Sequence, residues 1–345
     1  MTRESERPAP PQSIAAPPPG DRLRSAAVAR LAWLDLYRGT AVLVMIETHV
    51  CNTFLAPAER ASGWFASLNY MNGWVAPAFL FIAGLAHGLG IRRRQARSAG
   101  LRRHLGRLAG VAALGYALHF PWAEIAAGRW SDALLAGTRM DILPCLAVAI
   151  AVLLVCEHLT QRWSTALVAG LMMAVVFLAP RVAHWTGAPG PLLAVVNQTT
   201  GSLFPLLPWV AFTFAGYLVS ARAPSPRAYL LPVLGAGGAV FALGRADLSP
   251  ASIDFFFERL AWILLFVPIC GALARFAPPP VLFASRESLV MYVAHLLIIS
   301  ALAGLRVPPL GIAATAGLFA VVLAATFAAT WSWRRFKAGK HRHSS

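Results

Sequence analysis

Charged side chains are scarce in this chain. Asp, Glu, Lys and Arg together make up 13% of the 345 residues, whereas hydrophobic residues make up 58%. Soluble domains carry about 25% charged residues, so this composition excludes an ordinary soluble protein. The long apolar runs instead predict an all-α, polytopic integral membrane protein.

Acidic residues are scarcer than basic ones. The chain has 14 Asp and Glu against 30 Lys and Arg, which gives a net charge of +16. In a soluble chain this excess would suggest nucleic-acid binding, but here the basic residues concentrate at the ends of apolar runs and in the tails. That distribution follows the positive-inside rule of membrane proteins, so no nucleic-acid partner is expected.

Metal-binding and secretion signals are also missing. The four cysteines show no CxxC or other metal-ligand spacing, which favours a packing role and predicts no metal site. Residues 1–20 are rich in proline and contain no apolar run, unlike a signal peptide. We expect a disordered cytoplasmic tail over 1–30, a transmembrane domain over 31–333 and a basic cytoplasmic tail over 334–345.

About ten apolar segments are long enough to cross a bilayer. They cover approximately residues 34–52, 70–91, 105–122, 141–158, 164–180, 202–220, 229–243, 258–275, 289–305 and 310–333. The arginine-rich loops between them all fall on one side, so both termini are expected in the cytoplasm. The predicted location is the inner membrane of a bacterium, with membrane lipids as partners.

Polar residues interrupt the first span. Asp35, Arg38, His49 and Asn52 fall on one helix face, because a helix turns about 100° per residue. Arg38 and His49 lie roughly 16 Å apart along the axis. Each ionisable group costs roughly 2.5–3.5 kcal/mol at a membrane centre, so this face predicts a functional groove, or else polar contacts that lock neighbouring helices. Glu47 points the other way and needs a separate partner.

A second polar stripe lies on the ninth span. Ser288, Tyr292 and His295 are spaced by four and three residues, so they share one helix face. Two interpretations are open: a hydrogen bond between helices, or an acceptor or proton-relay role facing the same cavity as His49.

Contacts between spans can also be predicted. Gly84, Gly88 and Gly90 would allow a close approach to the second span. Glycines there and in the seventh span would permit packing against another copy, so a homo-oligomer is possible. Arg139 and Asp141 could pair at the outer mouth of the fourth span.

An arginine cluster follows the second span and includes Arg92, Arg93, Arg94, Arg102 and Arg103. Such a cluster orients helices and contacts anionic lipid. It could also bind the phosphates of a cytosolic donor, since guanidinium groups bind phosphate bidentately.

Several sequence blocks occur in order on the predicted spans: LDLYRGTAVLVMIETH, PAFLFIAG, DILPCLAVA, FPLLPWVAFTFAGYL and ESLVMYVAHLL. Together they resemble the membrane acyltransferase 3 superfamily, in particular the branch related to heparan-α-glucosaminide N-acetyltransferase. Acyltransferase 3 proteins use an arginine and a histidine that match Arg38 and His49. The lysosomal enzyme uses a histidine in its first luminal loop, but residues 55–69 of this chain contain none, which makes His49 the better candidate.

The resemblance implies an acyltransferase that moves an acyl group, such as acetyl, from cytosolic acyl-CoA to a sugar, amino-sugar or glycan acceptor on the outer side. Acyl-CoA would be a co-substrate, with no bound cofactor. Histidine supplies a base that titrates near neutral pH, and Arg38 could hold the donor or stabilise an oxyanion. Asp35 would orient Arg38, and Asn52 or Tyr292 would hold the acceptor, while His49 removes its proton or takes the acyl group.

Two other classes of protein compete with this interpretation. A transporter or flippase would also have many spans with intramembrane charges, although the two halves of the chain show no convincing internal repeat. A structural or regulatory membrane subunit would use the same polar residues to lock its helices together.

Overall fold

The computed structural model describes residues 19–94, 101–160, 163–220 and 249–342. These residues form fifteen α-helices, numbered here in chain order. They are α1 (Pro19–Phe54), α2 (Pro57–Arg60), α3 (Gly63–Asn72), α4 (Val75–Arg94), α5 (Leu101–Leu118), α6 (Trp122–Ala126), α7 (Trp130–Thr138), α8 (Ile142–Thr160), α9 (Ser164–Val182), α10 (Gly190–Val196), α11 (Leu206–Ser220), α12 (Ile253–Leu273), α13 (Pro279–Arg286), α14 (Ser288–Gly304) and α15 (Ile312–Arg342). Because this part of the chain contains no strand, the all-α prediction is confirmed.

Several helices are long and apolar enough to cross a membrane. Five pass by length and composition: α3 with α4, α8, α9, α12 with the 3-10 turn after it, and α15. A sixth results if α13 and α14, which meet at 90°, count as one span. The chain is therefore a multi-pass membrane protein, as predicted. The polar helix α1 is not among the five.

Two predicted spans agree closely with observed helices. The span predicted at 141–158 corresponds to α8, and the one at 164–180 corresponds to α9. The span predicted at 229–243 lies outside the described residues. At the N-terminus the composition predicted a tail to residue 30, whereas α1 begins at Pro19. Proline fits the first turn of a helix, and the alanine, leucine and arginine residues that follow favour helix.

Two other predicted spans are broken. The second is interrupted at Gly73, which ends α3 just before α4 begins. The sixth is shorter than predicted because Leu207 leaves the helical conformation, with φ −99° and ψ 122°. The peptide bond between Leu207 and Pro208 is cis. Most of the apolar segment from Pro208 to Ser220 is buried in the bundle.

The helix α1 occupies the centre of the bundle. It packs against α4, α12, α13, α14 and α15. Gly39 lies against the backbone carbonyl of Val281 in α13, where a larger residue would clash. The fully buried Tyr37 donates a hydrogen bond from its hydroxyl to the carbonyl of Ile263, at 3.1 Å. The polar face of α1 is thus enclosed by other helices.

The far end of α1 is fixed to the start of α15. An isolated parallel bridge joins Leu55 to Leu310. The N–H of Ala56 donates to the carbonyl of Leu310 at 2.8 Å, and the N–H of Leu310 donates to the carbonyl of Phe54 at 2.7 Å. These bonds satisfy backbone groups that the helix end leaves unpaired.

Glycines bring α4 and α11 into close contact. A Cβ atom at Gly84 would collide with the carbonyl of Thr213, and one at Gly88 would collide with the hydroxyl of Ser220. The predicted close packing is confirmed at these two positions. Gly90 has no neighbouring atom within 4 Å of the position a Cβ would take.

Candidate active site

A pair of histidines lies between α1 and α14. His295 Nε2 is 3.3 Å from His49 Nδ1, and the two ring centroids are 5.1 Å apart. His295 is completely buried, and His49 is partly buried. The two polar stripes predicted on separate spans therefore meet in one place.

Backbone carbonyls determine the tautomers of both rings. His49 Nδ1 lies 2.9 Å from the carbonyl oxygen of Met45, and His295 Nδ1 lies 2.9 Å from that of Met291. A carbonyl can only accept, so each neutral ring carries its hydrogen on Nδ1. His295 Nε2 then presents a lone pair to the Nδ1–H of His49. The Nε2 atom of His49 is left unprotonated, which is the form that a base or nucleophile requires.

A tyrosine, an aspartate and a third histidine adjoin this pair. The hydroxyl of Tyr292 donates to Asp141 Oδ2 at 2.8 Å, and His119 Nδ1 lies 3.4 Å from the same oxygen. The Tyr292 ring meets the His295 ring edge-on, with 5.6 Å between centroids. Asp141 and His119 are also close enough to act electrostatically on His49. These five side chains form one cluster, which we call the histidine cluster.

The sequence interpretation missed part of this cluster. Asp141 was expected to pair with Arg139, but the Nε–H of Arg139 donates instead to the carbonyl of Thr200 at 2.8 Å. That prediction is wrong because Asp141 points into the bundle, towards Tyr292. His119 was not predicted, since it follows the end of α5 and belongs to no polar stripe. An aspartate at the start of the very apolar α8 was the available signal.

A cavity of about 230 Å³ lies between α1, α4, α8 and α14, and Met45 is one of its lining residues. Its walls are mostly apolar, and the polar side chains Arg38, Ser288 and Tyr292 line it. Within the described residues, Arg38 has no carboxylate within 4.0 Å. The cavity therefore presents a guanidinium group to whatever enters it.

Asp35 has a different partner from the one expected. The hydroxyl of Ser285 in α13 donates to Asp35 Oδ1 at 2.9 Å. Asp35 thus contributes to the contact between α1 and α13, and in the described part of the chain it forms no ion pair with Arg38.

Asn52 lies away from the cavity. Its side-chain oxygen accepts a hydrogen bond from the amide of Asn69 at 3.4 Å, and its carbonyl accepts one from Arg60 at 3.1 Å. This places Asn52 on an exposed edge near α3. Contact between Asn52 and a substrate in the cavity would require these hydrogen bonds to rearrange.

Glu47 has the separate partner that its direction on α1 predicted. The amide of Asn72 donates to Glu47 Oε2 at 2.6 Å, and the thiol of Cys51 donates to Oε1 at 3.1 Å. Glu47 thereby joins α1 to α3 on the side opposite His49.

The structure describes the side chains of two of the five arginines predicted to bind phosphate. Arg102 and Arg103 are exposed at the start of α5. The side chains of Arg92, Arg93 and Arg94 lie outside the described residues. Among the described residues, no group of histidine, cysteine and carboxylate side chains could hold a metal ion.

Together these features define a multi-pass membrane protein with a buried polar site in its helical bundle. A family model described as the catalytic domain of heparan-alpha-glucosaminide N-acetyltransferase matches residues 30–249. The chain therefore belongs to this family, as the sequence blocks predicted, and at the family level this implies an acetyltransferase. No curated protein matches the chain significantly. The match includes His49, Arg38 and Asp141, while α14 lies beyond it.

Proposed function

We propose that the chain is a membrane acyltransferase that moves an acetyl group from cytosolic acyl-CoA to a sugar or amino sugar on the outer side. In this proposal ten spans cross the bacterial inner membrane, with both termini in the cytoplasm. The basic residues near both ends of the chain support this topology. Arg38 then lies towards the donor side of α1, and His49 lies deeper in the membrane.

The cavity beside Arg38 supports a route for the donor. Its volume of about 230 Å³ is below the roughly 300–1,000 Å³ typical of sites for drug-sized ligands. A slender pantetheine arm fits such a space, whereas the nucleotide of CoA has to remain outside. Exposed Arg102 and Arg103 could bind its phosphates there.

Arg38 is better placed to hold the donor than to stabilise an oxyanion. Arg38 and His49 lie on one continuous helix. The rise of that helix separates them by roughly 16 Å along its axis. A guanidinium at that distance cannot contact a carbonyl that reacts at His49. Its role would be to bind a polar group of the donor in a low-dielectric site.

The observation that carries the proposal is that His49 Nδ1 lies 2.9 Å from the carbonyl oxygen of Met45 and 3.3 Å from His295 Nε2. These contacts favour the tautomer whose Nε2 is unprotonated. This atom can remove the proton of the acceptor or attack the thioester carbonyl directly. In either case the lone pair of His295 Nε2 can receive the Nδ1 proton of His49 as positive charge develops on that ring.

The test compares purified wild type with His49→Ala and Arg38→Ala, using acetyl-CoA and glucosamine. We expect His49→Ala to bind the donor but to lose acetyl transfer, and Arg38→Ala to bind the donor poorly. His184→Ala, a change at an exposed histidine outside the site, should retain wild-type transfer. Melting temperatures check that each variant is folded. If folded His49→Ala transfers acetyl at the wild-type rate, or if wild type does not bind acyl-CoA, the proposal is wrong.

A further inference from the structure

An apolar groove lies between α5, α6 and α7. Its volume is about 460 Å³, and its walls include Phe120, Trp130 and Leu134, all of which are exposed. The mechanism above uses none of these residues. The groove is distinct from the donor cavity, because the two have no lining residue in common.

The groove is connected to the histidine cluster through the chain and through one side-chain contact. Phe120 and Pro121, which line it, directly follow His119 in the chain. The hydroxyl of Tyr116, another lining residue, contacts the sulfur of Met140 at 3.3 Å, and Met140 immediately precedes Asp141. His119 is therefore adjacent in the chain to a groove residue, and Asp141 follows a residue that contacts one.

His119 is poised to accept a proton. Its Nδ1 lies 3.3 Å from the carbonyl oxygen of Gly115 and 3.4 Å from Asp141 Oδ2. Both neighbours are acceptors, so Nδ1 carries the hydrogen and Nε2 is left unprotonated. The side chain of His119 is 47% exposed, whereas that of Asp141 is 10% exposed. This arrangement of a buried carboxylate behind a reachable imidazole is the one that orients a general base.

We propose that this groove and the pair of His119 and Asp141 form the acceptor site, and that the acceptor is a sugar or amino sugar attached to a lipid. The inference rests on the proposed acyltransferase function. The apolar chain of the acceptor lies in the groove, and its hydroxyl or amine reaches His119. His119 and His49 then have separate roles, one as base for the acceptor and the other as carrier of the acyl group.

The reaction balances with these groups. His49 Nε2 attacks the thioester carbonyl, the carbon–sulfur bond breaks, the CoA thiolate leaves, and the Nδ1 proton of His49 passes to His295. The acceptor oxygen or nitrogen then attacks the acyl carbon while its proton moves to His119 Nε2. The bond from the acyl carbon to His49 breaks, and His295 returns the Nδ1 proton to His49.

A lipid-linked occupant follows from the position and lining of the groove. The helices α6 and α7 have 5 and 9 residues, which is too short to cross a bilayer. Trp122 and Trp130 are 70% and 68% exposed, and tryptophan is enriched where membrane meets water. A groove at that level with apolar walls is open to a chain from the lipid leaflet and offers few hydrogen bonds to a free sugar.

The first test compares octyl-β-glucosaminide with free glucosamine as acceptors, both with acetyl-CoA. For wild type we expect a KM at least tenfold lower for the octyl compound. Trp130→Ala should raise that KM about tenfold, since the apolar contact is lost. Trp163→Ala is the matched control, because Trp163 is as exposed as Trp130 but does not line the groove; it should retain the wild-type preference.

The second test examines His119 directly. His119→Ala should lower acetyl transfer at least 100-fold, as expected for loss of a general base. Because the side chain is half exposed, added imidazole should restore a measurable part of the rate. A purely structural role for His119 would show no rescue by imidazole.

The outcomes separate the two proposals. If wild type acetylates both acceptors with equal KM, or if the Trp130 and Trp163 variants behave alike, the acceptor site is wrong but the acyltransferase stands. If His119→Ala keeps the wild-type rate, the role of His119 is likewise refuted. If wild type acetylates neither acceptor and consumes no acetyl-CoA, both proposals fail.

Discussion

His295 Nε2 faces His49 Nδ1 at a distance of 3.3 Å, although the two residues are 246 positions apart in the chain. The Nδ1 of His295 is directed to the carbonyl of Met291, so its Nε2 can only accept from His49. In the proposed reaction this relationship gives the two rings unequal roles. His49 would react through its unprotonated Nε2, and His295 would balance the charge that forms on His49.

Removal of the His295 ring should slow acetyl transfer without preventing donor binding. We expect His295→Gln to lower acetyl transfer about 100-fold, the lower end of the roughly 10²–10⁴-fold that proton transfer by a positioned group contributes. The amide can still bond to the carbonyl of Met291. Transfer rates and acetyl-CoA affinity measured on the same preparation check this. A rate equal to that of wild type would show that His295 only packs against His49.

Substitution of Arg38, which lines the cavity, should weaken donor binding more than it slows the chemical step. Arg38→Lys keeps the charge but loses the fork of donors, so the KM for acetyl-CoA should rise about tenfold while kcat changes by less than threefold. Arg275→Lys, at an exposed arginine away from the cavity, serves as the control. A fall in kcat with unchanged KM would instead place Arg38 at the reacting carbonyl.

The observed partners of Asp141 and Arg139 predict different effects for two neighbouring substitutions. Asp141→Asn disturbs the bonds to Tyr292 and His119, so acetyl transfer should fall more than tenfold. Arg139→Gln removes only a bond to the carbonyl of Thr200, and transfer should stay within twofold of wild type. Equal losses in both variants would indicate that the two side chains act together.

Close packing of α4 on α11 should make one glycine intolerant of larger side chains. Gly84→Val places atoms against the backbone carbonyl of Thr213, and overpacking of this kind costs about 1–3 kcal/mol. Thermal unfolding in detergent should show a clear drop in Tm. Gly90→Ala, which meets no atom within 4 Å, should leave Tm unchanged or raise it. Similar Tm values for both variants would contradict the observed packing.

Helical periodicity was sufficient to predict much of this fold and part of the site. The apolar runs gave α8 and α9 nearly to their ends, and the spacing of polar residues correctly grouped Ser288, Tyr292 and His295 on one face. The direction of Glu47 on α1 also correctly implied a partner away from His49. These features depend on local geometry within a single helix.

Side-chain contacts between different helices could not be predicted from the sequence in the same way. That His49 meets His295, or that Asp141 meets Tyr292, depends on how distant spans pack. Proximity in sequence favoured Arg139 as the partner of Asp141, but the backbone between them turns the two side chains apart. His119 escaped notice because a single histidine after a helix end carries no periodic signal.

The histidine cluster reaches the proposed donor cavity through Tyr292 and adjoins the proposed acceptor groove through His119, which is next to Phe120. This arrangement has an energetic consequence for the proposed reaction. The thiolate released in the cavity takes up a proton on the donor side, whereas His119 gives up its proton on the acceptor side. Each turnover would therefore carry one positive charge outwards. Where the donor side is negative, the membrane potential opposes the reaction by about 2.3 kcal/mol per 100 mV, so the hydrolysable thioester would drive transport of charge as well as group transfer.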